Sequence, residues 1–162
     1  MKRLLAALTL ALLVSFAVGA GVAYAAGTGS DYARGTVNQG LQQWTFSASS
    51  NFNGTEPRGT VKFTRTDFDP NAVVTGRVTC LLVNGSSASI VAEVTDIRNG
   101  GGAFTGVRSM VISATDSGKF PNNTPDLFNG FFSGAPATNV CPPPGFQSTV
   151  LDGEVIVNDA LT

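Results

Sequence analysis

Chemistry in this 162-residue chain must come from eleven carboxylates, two cysteines, ten basic side chains and many hydroxyls, because histidine is absent. Without an imidazole there is no Ser-His-Asp triad, no Cys-His dyad and no HExxH zinc site. Acid–base work by two carboxyl groups would need them about 5 to 9 Å apart across a cleft. Glu93 and Glu154 are the strand-borne candidates, but both alternate away from the apolar positions, where a carboxylate is solvated. Oxygen ligation is the next option: Asp67 and Asp69 flank Phe68, while Asp116, Asn122, Asn123 and Asp126 lie close together. A hard cation such as Ca2+ takes several oxygens from one flexible loop, and the second cluster is the better candidate. Neither follows a recognised calcium-loop spacing, and Asp and Asn are also ordinary turn formers. No G-x-S-x-G elbow occurs, and Lys62 and Lys119 read as solubilising charges rather than bases.

The cysteines take their meaning from the start of the chain. Lys2 and Arg3 precede an apolar run from Leu4 to Ala23, closed by Ala23-Tyr24-Ala25. This is the order of a secretory signal, residues 1–25, with cleavage expected after Ala25; a retained membrane anchor is the alternative. Cleavage would leave 137 residues with 8 basic and 11 acidic groups, a net charge of −3. No cysteine stands at the junction for lipid attachment. In an exported chain, Cys80 and Cys141 are expected to form a disulfide. It would close a loop of about 60 residues, for which the chain-entropy estimate is about 4 kcal/mol.

These groups must be held by strands. Trp44 and Phe46 alternate with Gln43, Thr45 and Ser47; Val61 and Phe63 alternate with Lys62 and Thr64, the period-two signature of half-buried strands. Residues 72–83 place Val74, Gly76, Val78, Cys80 and Leu82 on one face, and residues 88–97 place Ala88, Ile90, Ala92 and Val94 on one face. Asn84-Gly85 between them is a hairpin signal. The segment from Phe104 to Thr115 has apolar bulk on both faces, as a strand covered on both sides would. From Asp116 to Gln147, prolines and glycines argue against a long helix or central strand, with Leu127-Phe128 and Phe131-Phe132 as apolar pins. Thr149 to Asn158 reads as a last strand, with Leu151, Gly153, Val155 and Val157 in phase.

The expected fold is therefore all-β, with seven to nine strands. Glycines within strands, Gly76, Gly106 and Gly153, favour a small antiparallel barrel, and a two-sheet sandwich or jelly roll is the alternative. Residues 26–34 read as a flexible lead and 35–162 as one domain. Phe46, Phe63 and Phe104 could line a barrel around an apolar small molecule, although the same residues would fill an ordinary core. The low net charge gives no basic groove for nucleic acid, and no segment after the leader stays apolar long enough to cross a membrane as a helix.

The run Gly76-Arg77-Val78-Thr79-Cys80-Leu81-Leu82-Val83-Asn84-Gly85, with Asp116-Ser117-Gly118, Pro125-Asp126 and the late cysteine, resembles a group of small, uncharacterised exported bacterial β-proteins with a G-x-V-x-C-L-x-V-x-G segment. The resemblance spans residues 59–160. It implies a compact calycin-like or jelly-roll-like domain and brings no catalytic residues. The functional expectation is a secreted or envelope-associated, non-enzymatic β-domain with a structural or binding role and no cofactor. The alternative is a small barrel enzyme, isomerase- or cyclase-like, acting on an apolar molecule; Arg77 or Arg108 meeting Glu93, Asp116 or Tyr32 at a cavity mouth would favour it. A protein partner bound along an exposed strand edge is the third option.

Overall fold

The computed structural model describes residues 29–51, 54–68, 70–118 and 124–160. The leader expected at 1–25, the adjoining residues 26–28, and Asp69, Lys119, Asn122 and Asn123 lie outside the described residues. Nine strands form one antiparallel sheet curled into an open barrel: β1 Asp31–Gln39, β2 Gln42–Ser50, β3 Arg58–Arg65, β4 Ala72–Asn84, β5 Ser87–Arg98, β6 Ser109–Thr115, β7 Leu127–Ser133, β8 Ser148–Thr149 and β9 Asp152–Asn158. The spatial order is β8-β7-β6-β5-β4-β3-β2-β1-β9. Each strand from β1 to β8 thus pairs with its neighbour in sequence, and β9 returns to lie beside β1.

The interior follows from alternation. Ala33 and Val37 of β1, Trp44, Phe46 and Ala48 of β2, Val61 and Phe63 of β3, and Val74 and Val78 of β4 all point inward and are buried. Ala88, Ile90 and Ala92 of β5 continue the lining, followed by Met110, Ile112 and Ala114 of β6 and Phe128 of β7. Small residues make room for large ones. A side chain at Gly35 would come within 2.8 Å of the Phe46 ring, and one at Gly130 within 2.9 Å of the Trp44 indole.

Four differences from the sequence reading have identifiable causes. The ladder shifts register between Val78 and Cys80, and this bulge reverses the phase of β4. Leu81 is therefore in the core, Leu82 is 40% exposed, and Cys80 faces outward rather than into the core. Strand β1 begins at Asp31, inside the stretch read as a flexible lead, because Ala33 and Gly35 are inward residues too small to advertise an apolar face. Leu127 to Ser133 forms a strand within the proline-rich region, since the prolines stand on either side of it. Leu151, placed in phase with Val155, lies before β9 and is 91% exposed. In addition, Gly106 belongs to the turn after a 3-10 segment at Gly101–Phe104, not to a strand.

The half-open barrel is closed by carboxylates. Strand β9 pairs with β1 on one side; on the other, the Val155 N–H donates to Asp126 Oδ2 at 2.8 Å and the Val157 N–H to Asp116 Oδ2 at 3.2 Å. These aspartates stand on the connection from β6 to β7. Edge amides that a tenth strand would have taken are thus satisfied by side chains.

Candidate functional site

The three phenylalanines considered as a ligand lining are packed among other rings. Phe63 meets Trp44, Phe104 and Phe132 at centroid distances of 4.8, 5.8 and 4.9 Å, and Phe46 meets Phe128 at 5.9 Å. Edge-on and tilted contacts of this kind are the arrangement of a cohesive aromatic core. At Phe46, Phe63 and Phe104 the barrel interior holds rings in contact with one another.

Asp116 and Asp126, the described members of the acidic cluster, are brought together at the β9 seam, where they accept from backbone amides. Asp116 accepts from the Gly118 N–H through Oδ1 and from Val157 through Oδ2; Asp126 accepts from Ser117 through Oδ1 and from Val155 through Oδ2. Both oxygens of each carboxylate already accept from backbone amides, which leaves little free for a cation. Among the described residues, no group of three or more acidic, cysteine or histidine side chains is placed to hold a metal ion. Asp31 and Asp159 act alike nearby, accepting from the Ala160 and Gly85 amides.

The disulfide joins Cys80 to Cys141 with Cα atoms 5.5 Å apart. Its work is done outside the barrel. Residues 134–147 lie as a strap over the outward faces of β4, β5 and β6. The Ser109 hydroxyl donates to the Ala135 carbonyl at 2.9 Å, and that of Thr79 to the Thr138 carbonyl at 2.8 Å. Ser113 accepts from the Gly145 N–H at 3.0 Å, and Thr115 donates to Gln147 Oε1 at 2.8 Å. Four of the strap's residues are proline and have no N–H to offer a ladder, so side-chain hydroxyls and one covalent bond hold it. Beneath it Ser89, Val91, Ser109 and Ser113 are buried although they face away from the core.

Arg77 and Glu93 pair at 2.8 Å on the outer surface, both well exposed. Glu93 and Arg108 border a cleft of about 200 Å³ closed on one side by Pro136 and Ala137 of the strap. Asp116 is elsewhere, at the β9 seam, and Tyr32 is on β1. The convergence that would mark a catalytic cavity mouth is therefore partial, and it opens to solvent rather than into an apolar chamber. Glu93 and Glu154 are both exposed, on separate strands.

On the opposite side the outward residues Arg34, Thr36, Thr45, Ser47, Thr60 and Lys62 of β1, β2 and β3 are exposed, and among the described residues no strap lies over them. Register aligns Arg34 with Ser47 and Ser47 with Thr60, and Thr36 with Thr45 and Thr45 with Lys62. An open cleft of about 430 Å³ lies here, lined by Arg34, Thr36, Thr45, Ser47, Glu154 and Ile156. The sequence reading passed over this group and treated Lys62 as a mere surface charge. The signal was the Arg-x-Thr alternation of β1, which acquires meaning only once cross-strand register is known.

No family model matches the chain, and no curated protein or solved structure matches it. Among the described residues, no helix is long and apolar enough to cross a membrane. What stands is a disulfide-bonded all-β domain in an open-barrel form.

Proposed function

We propose that the chain is an exported domain that acts through its outer surface, in a binding or structural role, and carries out no reaction. One observation supports this most: the interior holds a continuous set of touching rings from Phe46 through Phe128, Trp44 and Phe63 to Phe104, while the exposed outward positions of β1 to β3 carry hydroxyls and cations. A binding barrel needs its lining residues around a void. Here they touch each other. The leader-like residues 1–25 and a crosslink suited to an oxidising compartment support export.

Native mass spectrometry of the protein recovered from its host, together with its N-terminal sequence, tests both parts. The expected result is a chain beginning at Ala26, in the extracytoplasmic fraction, with no mass beyond that of the polypeptide. A small molecule released only on denaturation would overturn the surface-acting reading, and a chain retaining residues 1–25 would overturn cleavage.

A further inference from the structure

The bare face of β1, β2 and β3 has a charge character opposite to that of the whole chain. Its exposed outward positions include Arg34, Arg58 and Lys62 and no carboxylate; the one acid in these strands, Asp31, is buried against the Ala160 amide. Yet the full sequence carries 11 acidic against 10 basic residues. Among the described residues, Arg65, Arg77 and Arg98 are in ion pairs, with Asp67, Glu93 and Asp96. Among the same residues Arg34, Arg58 and Lys62 are in none, nor is Arg108 away from this face, and Arg34 lies over the Tyr32 ring at 5.7 Å. Strand spacing of about 4.8 Å and a rise of about 3.4 Å per residue put their Cα atoms about 12 to 14 Å apart in the observed register.

Between the cations stand neutral donors and acceptors: Thr36, Thr45, Ser47 and Thr60, with the cleft beside Arg34. Glu154, which has a partner of its own, forms the rim. Spaced positive charges on a hydroxyl-covered face complement a polymer that alternates negative charge with hydroxyls. A lipid surface fits less well, because the two large apolar side chains bordering the cleft, Phe46 and Ile156, are buried and half-buried. Single-stranded nucleic acid fits less well too, since the one aromatic side chain among the described outward residues of β1 to β3 is Tyr32, half-buried and covered by Arg34, where stacked bases would need open rings.

We propose that this face binds an acidic polysaccharide, a carboxylate-bearing glycan chain whose anionic groups meet Arg34, Arg58 and Lys62 while its hydroxyls bond the Thr and Ser rows. Arginine forks pair with carboxylates in two-bond geometry, whereas lysine supplies a point charge. The inference rests on the surface-acting reading above and names its partner.

The test is binding of the intact, disulfide-bonded protein to immobilised polygalacturonate, with dextran, phosphatidylglycerol vesicles and single-stranded DNA in parallel. A triple variant, Arg34→Gln with Arg58→Gln and Lys62→Gln, is compared with Arg77→Gln, Arg98→Gln and Arg108→Gln, which changes net charge equally away from this face. Binding to polygalacturonate that weakens at least tenfold in the first variant and less than twofold in the second, and falls with added salt, is the expected result. Absence of binding, equal loss in both variants, or equal or tighter binding to vesicles or DNA would overturn it. Failure here with a ligand-free native mass spectrum removes only the glycan, whereas a trapped interior ligand removes the surface-acting reading itself.

Discussion

The barrel's outer surface has two halves built on the same kind of strand. On β4 to β6 the outward residues Cys80, Ser89, Val91, Ser109 and Ser113 are small or apolar and buried, on the side where residues 134–147 are tied down, and only farther along the strands does an exposed pair, Arg77 and Glu93, take over. Outward residues of β1 to β3 are Arg34, Thr36, Thr45, Ser47, Thr60 and Lys62, and they are exposed. Strand formation needs only the inward alternation, so the outward positions are free to specify what the surface does. On one side they hold a covering segment; on the other they remain available to solvent and ligand.

The largest effect should come from removing the strap's covalent tie. Replacing both Cys80 and Cys141 with Ala releases a closure spanning 61 positions, for which chain entropy gives about 4 kcal/mol. Urea unfolding should detect this, and amides of β5 should exchange faster than those of β2. If the two strands lose protection equally, the strap does not act on its own side.

A matched pair of substitutions sharpens the contrast. Val91→Asp introduces a carboxylate at an outward site only 4% exposed and should cost about 3 kcal/mol. Thr45→Asp, outward on the bare side, should change stability by less than about 0.5 kcal/mol. Similar midpoints for the two variants would erase the distinction.

At the seam between the halves, Asp126→Ala removes the acceptor for the Ser117 and Val155 amides. A cost of about 2 kcal/mol is expected for charge-assisted bonds lost at partly buried groups, with the Val155 amide the most deprotected by hydrogen exchange. Unchanged protection at Val155 would mean that the carboxylate does not close the barrel.

The smallest effect lies at an exposed pair near the β3–β4 turn. Arg65 donates to both oxygens of Asp67, at 2.7 and 2.9 Å, and these bonds hold the Asp67 carboxyl below the ordinary carboxylate range. A carboxyl depressed in the folded state stabilises above its unfolded pKa, and that contribution fades as pH falls through the folded value. Because the pair is solvated, its influence on stability is slight. NMR titration should show Asp67 moving up to the ordinary range in Arg65→Gln; an unmoved titration would remove the pairing.

Much of this architecture can be read from alternation. The inward sets Trp44 and Phe46, Val61 and Phe63, and Ala88, Ile90 and Ala92 stand where period two puts them, and a hairpin joins β4 to β5 one residue on from the expected Asn84-Gly85, with Gly85 and Ser86 as its turn. The expected crosslink forms, and the strand from Ser109 is covered on both sides. What alternation could not carry is non-local. The extra residue at Thr79 that turns Cys80 outward leaves no mark in composition. Asp116 and Asp126 stand out as polar, but their amide partners lie 41 and 29 residues away. The bare face exists only after three strands are aligned, so Arg34 and Arg58 carry no sign of being neighbours of Lys62.

The pairing of β9 with β1 also sets an order in time. During synthesis β1 can find β2 almost at once, since Gln39 and Gln42 are joined by a tight turn. Its other edge must wait for Asn158, the partner of Tyr32. At about 5 to 20 residues per second, that edge stays unsatisfied for roughly ten seconds while more than a hundred residues are added, a window in which another nascent chain can take the place of β9.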